Sequence, residues 1–155
     1  MTPSEAGRDV FRTRPARARW RTFGVLSAIA VGGGLGSIAR YLVGSAVPAG
    51  TSGFPWGTLV ANVTGCFALG ALMVFVLQVW PPRRYVRPFL GVGFLGGYTT
   101  FSTVTVEITR LPAPTAAAYA TASLAAGLTA VWCGMAIARL AARVPARRSA
   151  REEAR

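Results

Sequence analysis

A run of polar and aromatic residues interrupts an apolar stretch near residue 100. Residues 93–104 read GFLGGYTTFSTV, in which two adjacent glycines precede tyrosine, threonine, phenylalanine and serine. This composition is unfavourable for a continuous helix and predicts a break. In a membrane, the backbone groups that a break frees must be buried in protein or coordinate an ion. Glu107, the one acidic residue within an apolar segment, follows shortly after.

Two other polar residues lie inside apolar segments, where each is costly without a partner. Asn62, with Thr58 and Thr64 beside it, offers amide donors and an acceptor. It suits either an interhelical hydrogen bond or a donor that points into a pore. Arg40 costs about 2.5–3.5 kcal/mol at the centre of a span. It either extends to the membrane interface or draws anions into a wet vestibule.

A polar stripe follows in the last apolar segment. Tyr119, Ser123 and Gly127 are spaced four residues apart and share one helix face, with Thr129 close by. Taken alone, this stripe favours a packing surface between helices.

Four apolar segments position these groups. The chain has 155 residues, is 52% hydrophobic and carries 14% charged residues, against about 25% in a soluble domain. Each segment reaches the ~20 residues that cross a bilayer. The predicted spans run over about Phe23–Val47, Gly57–Trp80, Tyr85–Ile108 and Ala113–Leu140. The sequence therefore predicts an all-α integral membrane protein with four transmembrane helices, the third broken at mid-membrane.

The domain organisation follows from these spans. We expect a disordered Arg-rich tail over residues 1–21, a four-helix transmembrane channel domain over 22–141 and an Arg-rich C-terminal tail over 142–155. Glycines at GxxxG spacing, Gly32/Gly36 and Gly93/Gly97, let helices approach closely. For the first span, packing is their predicted role.

The charge distribution predicts topology. Every basic residue is Arg and the formal net charge is +12. Both tails and the short loop between the second and third spans fall on one side of a four-span protein. That side holds fifteen arginines: Arg8, Arg12, Arg14, Arg17, Arg19, Arg21, Arg83, Arg84, Arg87, Arg139, Arg143, Arg147, Arg148, Arg151 and Arg155. Since cytoplasmic loops carry the excess of Arg, both termini are predicted to be cytoplasmic in the cell membrane.

Other function classes fit poorly. The arginines flank hydrophobic runs, which disfavours a nucleic acid partner. Cys66 and Cys133 lie within apolar runs and are interpreted as small buried hydrophobes. There is no His, and no nucleophile–base pair or metal cluster, so an enzyme is not expected.

Three motifs resemble the CrcB/Fluc family of fluoride channels in order and spacing. They are GGLGSIARY at residues 33–41, GTLVANVTG at 57–65 and GFLGGYTTFST at 93–103, followed by Glu107. The resemblance covers about residues 23–140. It implies a passive channel that exports fluoride and lowers its toxicity, which confers fluoride resistance. It also implies an antiparallel, dual-topology-type dimer with two pores and a structural sodium ion at the dimer centre.

The same resemblance assigns roles to residues. Gly96 and Thr99 would supply carbonyl oxygens to the sodium ion, and Arg40 matches an arginine of the family's first helix. Thr58 flanks the pore-lining amide and is assigned to the vestibule. The residues that would line the pore or lie near it are Asn62, Phe101, Thr103, Glu107, Tyr119, Ser123 and Thr129.

This chain departs from the family pattern at two positions. Val104 stands where a second phenylalanine is usual, and Gly127 stands where a further hydroxyl is usual. Both changes remove groups from the fluoride-coordinating surface. The strong arginine bias also favours one orientation in the membrane. An alternative is therefore a subunit that pairs with a homologous, oppositely oriented partner and is inactive alone.

Two more distant functions fit this sequence less well. A small multidrug transporter needs an acidic residue in its first span, and this span has Arg40 instead. A helper subunit of a larger complex needs packing motifs but not the polar string at residues 98–103.

Overall fold

Four long apolar helical spans form the molecule. The computed structural model describes residues 16–47, 53–79 and 84–152, with side chains placed over 20–47, 53–77 and 84–142. The helices are α1 (Ala16–Ala46), α2 (Trp56–Val74), α3 (Gly96–Tyr98), α4 (Phe101–Arg110) and α5 (Ala113–Glu152). A π-helical segment, Phe75–Val79, extends α2, and another, Arg87–Leu95, leads into α3. The described part contains no strand.

The prediction of four spans is confirmed. Segments long and apolar enough to cross a membrane cover Trp20–Ala46, Trp56–Leu77, Arg87–Arg110 and Ala113–Ala142. Each begins and ends within three residues of its prediction, although the predicted second span ended at Trp80, which lies outside the described residues.

The first helix begins earlier than expected. It starts at Ala16, whereas the sequence predicted an Arg-rich tail up to residue 21. Alternating Ala and Arg residues, both good helix formers, explain this extension. Residues 1–15 of that tail lie outside the described residues, as do Arg83 and Arg155.

The third span is interrupted, as predicted, but not at its glycines. Gly96 and Gly97 remain helical in α3. The backbone becomes extended at Thr99 (φ −85°, ψ 154°) and Thr100 (φ −148°, ψ 127°), and α4 starts at Phe101. The break lies at these two threonines because the Asn62 side chain of α2 bonds to the backbone of Thr100, as described below.

The glycines of the first and third spans pack these spans together. A Cβ atom at Gly36 would meet Phe94 O, and one at Gly97 would meet Gly33 O. Gly93 likewise leaves no room beside Ile29 O. The packing role predicted for the first-span glycines is therefore confirmed, because close backbone approach requires the missing side chains.

The helix directions place the arginines at the start of α1, at the start of the third span and at the end of α5 together at one end. Gly24 faces Tyr85 and Gly36 faces Phe94, so α1 runs parallel to the third span. Gly57, at the start of α2, faces Gly44, near the end of α1, so the first two spans run antiparallel. Gly127 of α5 lies beside Cys66 of α2, and Val131 lies beside Gly70, so α5 runs parallel to α2. The start of α1, the start of the third span and the end of α5 therefore share one end of the bundle, opposite Arg110.

Candidate functional site

The amide of Asn62 holds the break in the third span. Its Nδ2 donates to Thr100 O at 2.9 Å, and its Oδ1 accepts from Thr100 N at 2.8 Å. One side chain thus satisfies both backbone groups of a non-helical residue at membrane depth. The amide nitrogen carries two hydrogens, and Thr100 takes one of them. The interhelical bond considered for Asn62 is therefore present.

A second set of bonds closes the other side of the break. Thr100 caps α4, because its Oγ1 accepts from Thr103 N at 3.2 Å. The hydroxyls of Thr100 and Thr103 lie 3.0 Å apart, and Thr100 also contacts Ser102 through its hydroxyl at 3.2 Å. Thr103 therefore belongs to the cap of α4.

These bonds remove the helical donors of two carbonyls. In a continuous helix, Thr100 N would bond to Gly96 O and Thr103 N to Thr99 O. The first N–H donates instead to Asn62 and the second to Thr100 Oγ1. The two carbonyl oxygens assigned to sodium therefore both lose their helical partner. Such oxygens are suitable ligands for a hard cation, whereas the described residues contain no cluster of three His, Cys, Asp or Glu side chains.

Glu107 links the second, third and fourth spans. Thr58 Oγ1 donates to its Oε1 and Tyr119 OH to its Oε2, both at 2.6 Å. Tyr119 is completely buried, and the ring of Phe54 meets its ring edge-on at 5.3 Å between centroids. The acid therefore has a hydrogen-bond donor on each carboxylate oxygen, which offsets part of the cost of placing it in a span.

An open groove of about 520 Å³ lies beside the break. Asn62, Thr99 and Phe101 line it from the second and third spans, and Ser123 from the fourth. Phe101 is 85% exposed in this chain, an unusual position for a large aromatic residue unless a ligand, lipid or partner covers it. Ser123 Oγ is buried and has no hydrogen-bond partner among the described residues. The groove thus combines amide and hydroxyl groups with an aromatic ring.

The two residues that depart from the family pattern, Val104 and Gly127, both line this groove. Val104 is 7% exposed and closes part of its wall. Gly127 lies on the opposite helix, where an added Cβ would stand 3.6 Å from Cys66 Sγ. That distance is an ordinary van der Waals contact, so the backbone leaves space for a small side chain at this position.

Two of the predicted site residues, Thr129 and Arg40, lie apart from the groove, the break, the cap of α4 and the Glu107 cluster. Thr129 is exposed, and its hydroxyl donates to Ala125 O within its own helix at 2.8 Å. Arg40 is half-buried near the end of α1 and lines neither this groove nor the second cavity described below. The other predicted pore residues lie at the groove, at the cap of α4 or at the Glu107 cluster.

Sequence reasoning missed two participants. Thr100 receives both Asn62 bonds and caps α4, and its signal is a hydroxyl residue that directly precedes an amphipathic stretch. Cys66 also lines the groove, whereas its apolar neighbours in the sequence indicate only a small buried hydrophobe. Its position four residues after Asn62 places both residues on one face of α2. The bond between Thr64 and Tyr98, 2.9 Å between oxygens, was also not foreseen.

These features define a multi-pass membrane protein with a polar groove between its helices, the class that includes channels and carriers. The sequence model of the family described as "CrcB-like protein, Camphor Resistance (CrcB)" matches residues 27–135. The chain belongs to this CrcB family.

Individual proteins similar to this chain support the same family assignment. Fluoride-specific ion channel FluC 1 of Streptomyces coelicolor is 44% identical over 139 residues, which cover 85% of this chain and 90% of that protein. FluC 2 of Nocardia farcinica is 46% identical over 129 residues, with 83% and 92% covered. FluC 3 of Streptomyces avermitilis is 50% identical over 129 residues, which cover 81% of this chain but 63% of that relative. These relatives are named as ion channels, so the family is not one of enzymes.

Proposed function

We propose that this chain forms a fluoride-selective channel that lets fluoride leave the cytoplasm passively and so lowers its toxicity. The observation that carries the proposal is the groove beside the break, where Asn62, Ser123 and Phe101 come together. The names of the relatives as fluoride-specific channels point to the same ion.

The chemistry of the groove suits fluoride. A small, strongly hydrated anion enters a narrow path only where donors replace its water. The second N–H of the Asn62 amide and the unpartnered hydroxyl of Ser123 are such donors. Phe101 lines the groove and is largely exposed, and the edge of its ring carries the positive potential that an anion would meet. Chloride, which is larger, would fit less well in such a path.

The pore is proposed to need a second subunit. Phe101 is largely uncovered in the single chain, and the groove is open along one side. An antiparallel partner would enclose the groove and give two pores related by symmetry. In this arrangement one subunit lies in the cell membrane with its Arg-rich end and both of its termini on the cytoplasmic side.

A structural sodium ion is proposed at the dimer centre. Gly96 O and Thr99 O would hold it, and their lack of helical donors supports this role. Two subunits would supply four such oxygens. The bound ion would satisfy the broken backbone and provide a fixed positive charge near the pores.

A second candidate function is a subunit that conducts only with a homologous partner. Val104 and Gly127 both thin the polar and aromatic lining of the groove. The fifteen arginines at one side also oppose insertion in both orientations, which an antiparallel homodimer requires. A homologue with the opposite charge bias would complete the pores.

Fluoride efflux from liposomes tests the proposal. The purified protein is reconstituted alone, and a fluoride electrode records efflux, with chloride efflux as the control for selectivity. Fast fluoride efflux without chloride efflux is expected of a homodimeric channel. Folded protein that releases no fluoride alone, but does so with a co-expressed homologue, would favour the second candidate. Failure in both preparations would refute the proposed function.

A further inference from the structure

A second cavity, of about 530 Å³, opens at the end of the bundle opposite the Arg-rich end. The end of α1, the start of α2 and the link between α4 and α5 surround it, through residues such as Gly44, Trp56 and Leu111. Thr58 and Glu107 also line it. The cavity therefore reaches the Glu107 cluster from the end of the subunit that carries few arginines.

Glu107 makes this cavity unfavourable for an anion. Both of its carboxylate oxygens accept hydrogen bonds, from Thr58 and Tyr119, so the carboxylate is held in place at the edge of the cavity. A carboxylate in a cavity with low-dielectric walls repels anions and lowers their local concentration. Thr58, which lines the cavity, precedes Asn62, which lines the groove, by one turn of α2. An anion that moved from the cavity to the groove along this helix would pass the charge of Glu107.

Arg110 is the residue that can offset this repulsion. It lies three positions after Glu107 on α4, so the two residues are neighbours on one helix face, and both line the cavity. Within the described residues no ion pair joins them, and the Glu107 oxygens are taken by the two hydroxyls. The Arg110 side chain is exposed, so its charge remains available to an anion in the cavity.

We infer that Arg110 admits anions to the permeation path, at the end of its own subunit opposite the Arg-rich end, by offsetting the charge of Glu107. The inference rests on the proposed function as a fluoride channel. It makes Arg110 an entry residue that acts through charge rather than by direct coordination in the pore. With Arg110 the pair carries no net charge, and without it the cavity has the charge of Glu107 alone.

The test compares Arg110→Gln, Arg110→Lys and the wild type in neutral phosphatidylcholine liposomes. Initial fluoride efflux is recorded between about 10 mM and about 0.3 M ionic strength, set with an impermeant salt, because charge effects at a protein surface are screened over this range. We expect Arg110→Gln to conduct roughly threefold more slowly at low salt and to approach wild type at high salt. Arg110→Lys should retain the wild-type rate and salt dependence.

A matched variant separates a local effect from one of net charge. Arg84→Gln removes the same charge from an exposed position at the other end of the bundle. The inference is overturned if Arg110→Gln keeps the wild-type salt dependence, or if Arg84→Gln slows efflux as much. Wild-type protein that releases no fluoride, alone or with a homologous subunit, would instead overturn the proposed function and this inference with it.

Discussion

Asn62 and Thr100 exchange two hydrogen bonds, from Nδ2 to the carbonyl at 2.9 Å and from the backbone N–H to Oδ1 at 2.8 Å. A polar side chain of the second span therefore replaces the helical bonds of the third. This pairing allows extended backbone within a membrane span, and it redirects the N–H group that would otherwise bond to Gly96 O.

Replacement of Asn62 should loosen the break. Asn62→Ala leaves the N–H and C=O of Thr100 without partners, so we expect a loss of about 1–3 kcal/mol in the free energy of unfolding and loss of fluoride efflux. Thermal unfolding in detergent and liposome efflux measure the two effects. Thr64→Val is the control, because its hydroxyl bonds mainly to its own helix and to Tyr98. Equal stability of Asn62→Ala and wild type would contradict this account.

The bond between Tyr119 and Glu107 should contribute to stability. Tyr119→Phe keeps the buried ring but removes the donor to Oε2, so unfolding should become easier by about 1.5–3 kcal/mol, the range for a hydrogen bond to a charged group. Tyr41→Phe, on an exposed tyrosine of α1, should leave stability unchanged. If both variants unfold at the same temperature, the hydrogen bond between Tyr119 and Glu107 does not stabilise the fold.

Restoring a hydroxyl at Gly127 should improve permeation. Gly127→Ser places a Cβ at an ordinary distance from Cys66 Sγ and adds a donor beside the groove, so the protein should fold and release fluoride faster. Gly134→Ser is the matched control on the same helix. Its Cβ would meet Phe67 O, so this variant should be destabilised. Slower efflux in well-folded Gly127→Ser would show that the lining does not lack a hydroxyl there.

Removal of sodium should weaken the centre of the proposed dimer. Protein purified with N-methylglucamine in place of sodium is expected to conduct less and to unfold at a lower temperature. The reason is that two carbonyl oxygens per chain would lose the cation that they bind. Readdition of sodium should restore both properties, whereas potassium, a larger cation, should restore them less. A melting temperature and an efflux rate that ignore the cation would argue against the site.

The arginine bias should fix one orientation. Epitope tags at either terminus, probed in intact cells and in inverted vesicles, should be reached only from the cytoplasmic face. Such a result, together with inactivity of the purified chain, would support pairing with an oppositely oriented homologue. Tags found equally on both faces would show dual topology and sustain the homodimer.

The sequence was sufficient for the spans and for the existence of a break. Four apolar runs of membrane-crossing length allow little but helices, because a bilayer offers no water to unpaired backbone groups. The exact position of the break was harder to predict from the sequence. The two glycines were the obvious weak point, yet they stay helical and pack against α1, and the backbone opens at Thr99 and Thr100 instead.

The groupings of polar residues also depended on the fold. Tyr119 and Ser123 share one helix face in the sequence, but one donates to Glu107 and the other lines the groove without a partner. Thr129, close in sequence, bonds to its own backbone and lies apart. Periodicity gives the face of a helix, whereas the rotation and depth of neighbouring helices decide which side chains on that face meet.

By itself, then, the sequence determined a four-span membrane protein with a broken third helix, an arginine-rich end and a motif set typical of one family. Hydrophobic length, charge bias and local composition act along the chain, so they can be seen without coordinates. Only the tertiary structure decided that Asn62 bonds to Thr100, that Glu107 bridges Thr58 and Tyr119, and that Arg110 shares a cavity with Glu107. Most of these partners lie 38 or more residues apart along the chain or on different helices, and their hydrogen bonds require helix packing at ångström precision.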